Sequence, residues 1–182
     1  MRVAAVGTSG SGKTTFAGRL AAAMGVRHVE LDAVTWQAGW VALHETDPAE
    51  FVRRAGEALA GEDWVACGNY ITSRPTLLAR ATDLVWLDYP RPLVMARVIR
   101  RSFVRAAGQE ELWPGTGNRE AFADWFGREH PIRWAWDTYD RRKRQYEALF
   151  GMLADGPVRT WRVTRPWEAE ALIARLAAEA GA

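Results

Sequence analysis

The sequence contains the glycine-rich segment Gly7-Thr8-Ser9-Gly10-Ser11-Gly12-Lys13-Thr14. It matches the phosphate-loop pattern G-x-x-x-x-G-K-[ST] at every fixed position, and it lies between a short apolar run, 2–6, and a helical segment, 13–24. Glycines let successive backbone amides turn inward towards phosphate oxygens, and the helix that follows adds its positive N-terminal end. The stretch therefore predicts a strand, a phosphate-binding loop and a helix.

The chemistry of this loop predicts ATP and Mg²⁺ as ligands. Lys13 should reach the terminal phosphates, and the Thr14 hydroxyl should be a magnesium ligand, with Thr15 beside it in the first turn of the helix. Only two of the 24 basic residues are lysines, Lys13 and Lys143, so a lysine inside the loop stands out in an arginine-rich chain. The alternative is a glycine-rich turn with an exposed lysine.

Composition favours one ordered domain covering residues 1–182. Hydrophobic residues make up 48% of the chain and charged residues 25%, which is typical of globular proteins. The formal net charge of +2 does not support a nucleic-acid or membrane-surface partner. A single cysteine, Cys67, together with the lack of a long apolar run or a signal-peptide pattern, predicts a cytoplasmic protein. Monomer and homodimer both remain open.

Further apolar runs alternate with helical stretches along the chain. Candidate strands follow the first at 26–31, 64–67, 84–87 and 158–163. This alternation predicts an α/β fold, a three-layer arrangement of a five-stranded parallel sheet with helices on both faces. Because ligands bind at the carboxyl ends of parallel strands, the residues that follow each strand are candidate site residues.

The segment 106–131 interrupts this alternation. It contains Gly108, Pro114, Gly115 and Gly117, and it lies between two arginine-bearing helices. We interpret it as a mobile lid, with a plain surface excursion as the alternative.

Several short motifs beyond the phosphate loop carry a family resemblance. They are Leu31-Asp32, Trp36, Trp40, Trp64-Val65, Gly68-Asn69-Tyr70, Arg74 and Trp86-Leu87-Asp88-Tyr89-Pro90. With them the chain resembles, over roughly residues 1–145, the DNA topology modulation protein family, a branch of the adenylate-kinase-like P-loop kinases. The resemblance implies the strand order 2-3-1-4-5 and a phosphotransferase activity, with a poorly defined acceptor.

The arginines on both sides of the lid are candidate catalytic residues. Arg97 and Arg101 are four residues apart on one helix face, similar to an arginine pair in adenylate kinases in which the first packs on adenine and the second contacts phosphates. Arg105 continues this stripe. Beyond the lid lie Arg133, Arg141, Arg142 and Arg144, of which Arg133 and Arg141 are our catalytic candidates. The alternative for any one of them is a solvated helix face.

On the acceptor side, Asp32 follows the second strand and could orient an acceptor hydroxyl; the alternative is a helix-capping aspartate. Trp36 could wall an acceptor pocket together with Trp40, although a core role is equally open because the chain has ten tryptophans. The resemblance makes Asn69, Tyr70 and Arg74 acceptor-side residues, with Arg74 expected to grip an acceptor phosphate.

One position departs from the family pattern. Cys67 stands where the family generally has an aspartate that helps to hold the magnesium shell, and Asp32 and Asp88 are candidate substitutes. A nucleophilic role for Cys67 is not favoured, because no adjacent histidine is evident in the sequence. The three histidines lack the spacing of zinc ligands.

Two functions follow from these observations. The first is an ATP-dependent kinase whose acceptor is a small molecule, with a nucleotide or nucleoside expected from the resemblance. The alternative is an ATP-binding, slowly hydrolysing regulatory switch that acts on DNA topology or on a protein partner.

Overall fold

A computed structural model describes residues 1–127 and 130–181. Five parallel strands form one sheet: β1 (Arg2–Val6), β2 (Arg27–Glu30), β5 (Trp64–Cys67), β6 (Asp83–Leu87) and β7 (Arg159–Val163). Their order across the sheet is β2-β5-β1-β6-β7, which is 2-3-1-4-5 when only these five strands are counted along the chain. The α/β class and the strand order are confirmed.

Eight α-helices accompany the strands within the described residues. They are α1 (Lys13–Met24), α2 (Leu31–Thr35), α3 (Leu43–Thr46), α4 (Pro48–Ala58), α5 (Arg74–Leu78), α6 (Arg91–Gly108), α7 (Pro131–Leu153) and α8 (Pro166–Ala180). Helix α4 has a capped start, because the Asp47 side chain accepts a hydrogen bond from the Glu50 backbone N–H at 3.0 Å and Pro48 occupies the first turn. None of the helices within 1–127 and 130–181 is long and apolar enough to cross a membrane.

The sheet is buried on both faces, which explains the continuous apolar runs of its strands. Successive strand residues point to opposite faces, so Val3 and Ala5 pack with α1 and α8, whereas Ala4 and Val6 pack with α4, α5 and α7. The parallel register sets Cys67 between Ala5 of β1 and Glu30 of β2. Residues that follow these strands therefore meet at one edge of the sheet.

Short elements between α2 and α4 were not predicted. Two two-residue strands, β3 (Trp36–Gln37) and β4 (Val41–Ala42), pair in antiparallel fashion around a 3₁₀ turn at Ala38–Trp40. We call residues 36–42 the acceptor-side hairpin, because it extends from the helix that carries Asp32. Strands of two residues show no hydrophobic period that sequence analysis could detect.

The segment predicted as a lid is irregular over most of its length. Helix α6 ends at Gly108, residues 109–121 form neither helix nor strand, and a 3₁₀ turn covers Phe122–Phe126 before α7 begins. Residues 128–129 of the predicted lid lie outside the described residues. Lid motion stays a prediction.

Candidate active site

Two glycines of the phosphate loop occupy positions that no other residue could fill. Gly7 has φ +151° and Gly10 has φ +83°, in the region that favours glycine. A Cβ atom on Gly7 would lie 2.8 Å from the Leu87 carbonyl oxygen, and one on Gly10 would lie 2.8 Å from that of Val94. The backbone of the loop therefore approaches β6 and α6 so closely that only glycine fits.

The polar groups of the loop form a cradle suited to phosphate oxygens. In the described part of the chain the buried hydroxyls of Thr8 and Ser11 have no hydrogen-bond partner. The Lys13 ammonium donates to the Thr8 carbonyl oxygen at 3.1 Å. Burial lowers the pKa of Lys13, and the Asp32 carboxylate opposes that effect. Phosphate oxygens accept hydrogen bonds from hydroxyl groups and from ammonium groups, and the cradle offers both. The cradle therefore fits the phosphates of ATP.

Glu30 lies beside the predicted magnesium ligand, and sequence analysis missed it. The Thr14 hydroxyl donates to Glu30 Oε1 at 3.2 Å, and the register of β2 on β5 pairs Glu30 with Cys67. Burial, followed by the neighbouring Asp32 charge, raises the pKa of Glu30. A carboxylate therefore lies next to Thr14, and it comes from β2, the strand adjacent to the one that carries Cys67. The sequence signal was its place at the end of β2.

Cys67 has a histidine neighbour, contrary to our sequence interpretation. His28 Nε2 lies 3.4 Å from Cys67 Sγ, and the Thr14 hydroxyl lies 3.8 Å away on another side. Burial raises the pKa of the Cys67 thiol to about 12, and burial lowers the pKa of His28. The thiol is thus protonated at neutral pH. A nucleophilic role for Cys67 is therefore disfavoured because the thiol is desolvated, and not because it lacks a histidine neighbour.

Asp88, one suggested substitute for the missing aspartate, is already engaged. Its Oδ2 accepts from Arg162 Nη2 at 2.6 Å and lies 3.7 Å from Lys143 Nζ. The same guanidinium also stacks 4.5 Å from the Trp86 ring centroid. These contacts hold Asp88 in an ion-pair network with residues of β7 and α7, which disfavours a magnesium role for this carboxylate.

Asp32 lies within α2 rather than at its cap. The N-cap position belongs to Glu30, so the alternative interpretation of Asp32 as a helix cap is wrong. Asp32 Oδ1 accepts a hydrogen bond from the Tyr70 hydroxyl at 2.5 Å. Burial, with the Asp32 charge next, raises the pKa of Tyr70, which keeps the phenol protonated as a donor. Tyr70 thereby orients the Asp32 carboxylate.

The Asn69 side chain contacts the phosphate loop. Its Nδ2 donates to the Gly7 carbonyl oxygen at 2.5 Å, and its Oδ1 accepts from the Tyr146 hydroxyl at 2.6 Å. Both ends of the amide are thus engaged within the chain, which favours a positioning role over the predicted acceptor contact. Arg74 lies nearby and lines a small cavity with Asn69 and Tyr70.

Arg97 and Arg101 both reach the phosphate loop, in keeping with their spacing on α6. Arg97 Nη1 donates to the Ser11 carbonyl oxygen at 3.1 Å, and its guanidinium lies 4.8 Å from the Tyr89 ring centroid. Arg101 Nη2 donates to Ser9 Oγ at 3.4 Å. Burial lowers the pKa of Arg101, so this cation is largely desolvated beside the loop.

The arginines of α7 differ in their exposure to solvent. Arg133, Asp137 and Arg141 follow one another at a spacing of four residues, so they lie on one face of α7. Arg133 Nε donates to the exposed Asp137 carboxylate at 3.3 Å, and the Arg141 guanidinium lies over the Trp134 ring. Both therefore face solvent. Arg142 lies four residues before the buried Tyr146, and desolvation, the leading cause, lowers its pKa. Arg142 is therefore the partly buried arginine of this group, and its charge acts on the pKa of Lys13. Catalytic roles for Arg133 and Arg141 stay predictions.

Comparisons with solved structures return kinases. An unliganded sugar kinase from Janibacter sp. HTCC2649 is 21% identical, covering 96% of this chain and 91% of that one, with a TM-score of 0.55. Shikimate kinase from Acinetobacter baumannii in complex with shikimate is 18% identical over 96% and 89%, with a TM-score of 0.56. A gluconokinase from Sinorhizobium meliloti 1021 is 20% identical over 98% and 94%, with a TM-score of 0.51. The chain has the P-loop kinase fold.

No family model matches the sequence, and no curated protein matches it. At these levels of identity the solved structures establish the P-loop kinase fold alone. They do not support the narrower resemblance to DNA topology modulation proteins.

Trp36 belongs to a cluster of three tryptophans that this P-loop kinase fold carries at its surface. Its ring stacks on Trp113 with centroids 5.9 Å apart, and Trp40 meets both rings edge to face. Trp113 comes from the predicted lid, so the cluster joins the lid to the acceptor-side hairpin. Trp36 and Trp40, which we predicted to lie together, are in contact. Trp113 was missed by the sequence analysis.

Proposed function

We propose that this chain is an ATP- and Mg²⁺-dependent kinase that transfers a phosphoryl group to a hydroxyl group of a small acceptor. The observation that carries the proposal is the Asp32 carboxylate, which Tyr70 orients at 2.5 Å at the edge of the sheet that holds the phosphate loop. The Asp32 charge acts on the pKa of Lys13, so the two groups share one site. A base beside a phosphate cradle is the arrangement that hydroxyl phosphorylation requires.

In this reaction, one group of residues would act on ATP and another on the acceptor. When bound, Mg·ATP would supply the phosphoryl group, with Lys13 and the loop amides holding its phosphates. Arg97 and Arg101 would neutralise charge that spreads over the phosphoryl oxygens. Asp32 would orient the acceptor hydroxyl and accept its proton, so that the acceptor oxygen faces the phosphorus in line with the leaving group.

The presence of Asp32 favours a hydroxyl over a phosphate as the acceptor. A phosphate monoester has its second pKa at about 6, so it is already ionised at neutral pH and needs no base. Within the hydroxyl acceptors we propose a nucleoside, whose flat base would suit the partly exposed Trp36 and Trp40 rings. Sugars and hydroxy acids form the second class, favoured by the similar structures, which are those of a sugar kinase, a shikimate kinase and a gluconokinase. Nucleotides form the third class of acceptor, in which the acceptor group is a phosphate.

A screen of acceptors tests the proposal. Wild-type protein is incubated with Mg²⁺, γ-labelled ATP and nucleosides, nucleotides, sugars and hydroxy acids in separate reactions, and labelled products are separated from inorganic phosphate. We expect labelled product with at least one hydroxyl acceptor. Hydrolysis that no acceptor changes would favour the regulatory switch instead.

Thr14 and Glu30 are the residues that would hold the magnesium ion, and Glu30 gives a prediction of its own. Glu30→Gln should raise the Mg²⁺ concentration for half-maximal ATP turnover about tenfold, because outer-sphere carboxylates typically contribute 10- to 100-fold to metal affinity. Magnesium titrations of ATP turnover measure this shift. Cys67→Asp is the contrasting variant, and it should change the requirement less than twofold, since Glu30 already supplies a carboxylate. The opposite pattern, with only Cys67→Asp affecting magnesium, would contradict this assignment.

Arg101→Ala should lower phosphoryl transfer more than tenfold, because each tenfold corresponds to about 1.4 kcal/mol of transition-state stabilisation. The buried guanidinium contacts the phosphate loop, whereas Arg100 beside it is exposed. Arg100→Ala is therefore the matched control and should retain full activity. Steady-state rates at saturating ATP compare the two, and equal rates for both variants would remove Arg101 from the site.

A further inference from the structure

The tip of the predicted lid is a compact unit. We define the lid tip as residues 112–118, which the backbone closes with a hydrogen bond from Leu112 N–H to the Asn118 carbonyl oxygen at 3.0 Å. Inside it, Thr116 Oγ1 donates to the Trp113 carbonyl oxygen at 2.8 Å, and Gly117 N–H donates at 2.6 Å to Oε1 of Glu111, the residue directly before the lid tip. With these internal bonds the lid tip can dock or undock as one piece.

Asn118 fastens the lid tip to the acceptor-side hairpin. Its side chain is 2% exposed, and its Oδ1 accepts from the Trp40 backbone N–H at 2.9 Å while its Nδ2 donates to the Gln37 carbonyl oxygen at 2.9 Å. Trp40 has φ +60°, an uncommon conformation for a residue other than glycine that persists where the surroundings hold it. The Trp113 ring on Trp36 adds an apolar contact across the same junction.

The hairpin is in turn fixed to the helix that carries Asp32. Helix α2 ends at Thr35, directly before the hairpin. Thr35 Oγ1 lies 2.8 Å from His44 Nδ1 and accepts from the His44 backbone N–H at 3.1 Å, which ties the chain beyond the hairpin back to α2. A shift of the hairpin is therefore transmitted to α2 and to the carboxylate.

Two residues beyond Asn118, the chain contacts the arginine stripe of α6. Glu120 is 3% exposed, and its carboxylate lies 3.8 Å from Arg105 Nη1 and 3.3 Å from His130 Nε2. Arg105 is one helical turn beyond Arg101, which contacts Ser9 of the phosphate loop. Residues 118–120 thus link the acceptor side of the site to its phosphate side.

We propose that residues 118–120 couple the two halves of the site, with Asn118 as a positioning residue that docks the lid on the acceptor-side hairpin and Glu120 as the residue that aligns Arg105 and Arg101. The coupling rests on the proposed function, because it joins the acceptor half to the phosphate half of a kinase site. Docking of the lid tip on the hairpin is a separate property of the fold, and it can be measured without any ligand.

Hydrogen exchange at the Trp40 backbone amide tests the docking in the protein without ligands. This amide has Asn118 Oδ1 as its partner, so Asn118→Ala should speed its exchange at least tenfold at unchanged melting temperature, measured by NMR. Asn118→Asp keeps an accepting oxygen but loses the donor to Gln37, and its exchange rate should be intermediate. Glu110→Gln changes an exposed lid residue and is the control, with wild-type exchange expected. Wild-type exchange in Asn118→Ala would overturn the docking role.

The coupling is tested with Mg²⁺, ADP and aluminium fluoride as the probe of the phosphate half. Its binding should slow Trp40 amide exchange at least threefold in the wild type, and Glu120→Gln should abolish this response while leaving the ligand-free rate within twofold. An equal response in Glu120→Gln would overturn the coupling. If calorimetry shows no binding of Mg·ADP to the wild type, the proposed function and the coupling both fail, whereas the docking by Asn118 is still decided by the ligand-free measurement.

Discussion

Lys13→Ala is expected to reduce ATP turnover by at least about 100-fold, in line with the loss of a single preorganised charge at a developing anion. Lys13 is the desolvated cation of the cradle, and its ammonium contacts only the loop carbonyl of Thr8 among the hydrogen bonds of the described residues. With ATP bound, that ammonium would contact the terminal phosphates, so affinity should fall together with turnover. Calorimetry and steady-state kinetics measure the two losses.

The matched control for this variant is the other lysine of the chain. Lys143 lies 3.7 Å from Asp88, a carboxylate that Arg162 also holds. Lys143→Ala should therefore keep ATP affinity within about twofold, since a partly exposed ion pair contributes roughly 0–1 kcal/mol at most. Unchanged ATP affinity in Lys13→Ala, with a normal melting temperature, would show that residues 7–14 are not the nucleotide site.

Asp32→Asn should lower transfer to the acceptor by about 100- to 10,000-fold while ATP affinity stays nearly constant. The amide is isosteric and retains an oxygen for the Tyr70 hydroxyl, but it cannot accept a proton from the acceptor. The loss should appear in kcat with acceptor present and not in the KM for ATP, because the defect concerns the second substrate.

Asp137→Asn provides the comparison, because Asp137 is an exposed carboxylate on the solvent face of α7. It should retain wild-type transfer. Full transfer activity in Asp32→Asn would reduce Asp32 to a structural partner of Tyr70 and would remove the argument for a hydroxyl acceptor.

The fold was largely predictable because its signals are local. The phosphate loop requires a strand before it and a helix after it. Strands that are buried on both faces produce short apolar runs, which are visible directly in the sequence. Strand β5 was predicted with the same bounds that the structure gives, Trp64–Cys67. The strand order came from the resemblance, since apolar periodicity carries no information about which strands are neighbours.

The site was predicted less completely, because its missed residues depend on register and packing. Glu30 and His28 approach Thr14 and Cys67 only because β2 pairs with β5, which no local pattern reveals. The exposure of Arg141 and the partial burial of Arg142 depend on how α7 packs against the sheet, which the sequence of the helix does not show. Asn118 lies in an irregular segment, and its role is visible only where two distant segments meet.

The partition of the γ-phosphate in a single turnover distinguishes a kinase from an ATP-hydrolysing switch. Enzyme in excess over γ-labelled ATP is mixed with Mg²⁺ and the hydroxyl acceptor found in the screen, and the label is counted on the acceptor and as inorganic phosphate. We expect most of the label on the acceptor in the wild type, and a shift towards inorganic phosphate or unreacted ATP in Asp32→Asn. Release of the label as inorganic phosphate from the wild type, whatever the acceptor, would contradict a kinase and support an ATP-hydrolysing switch.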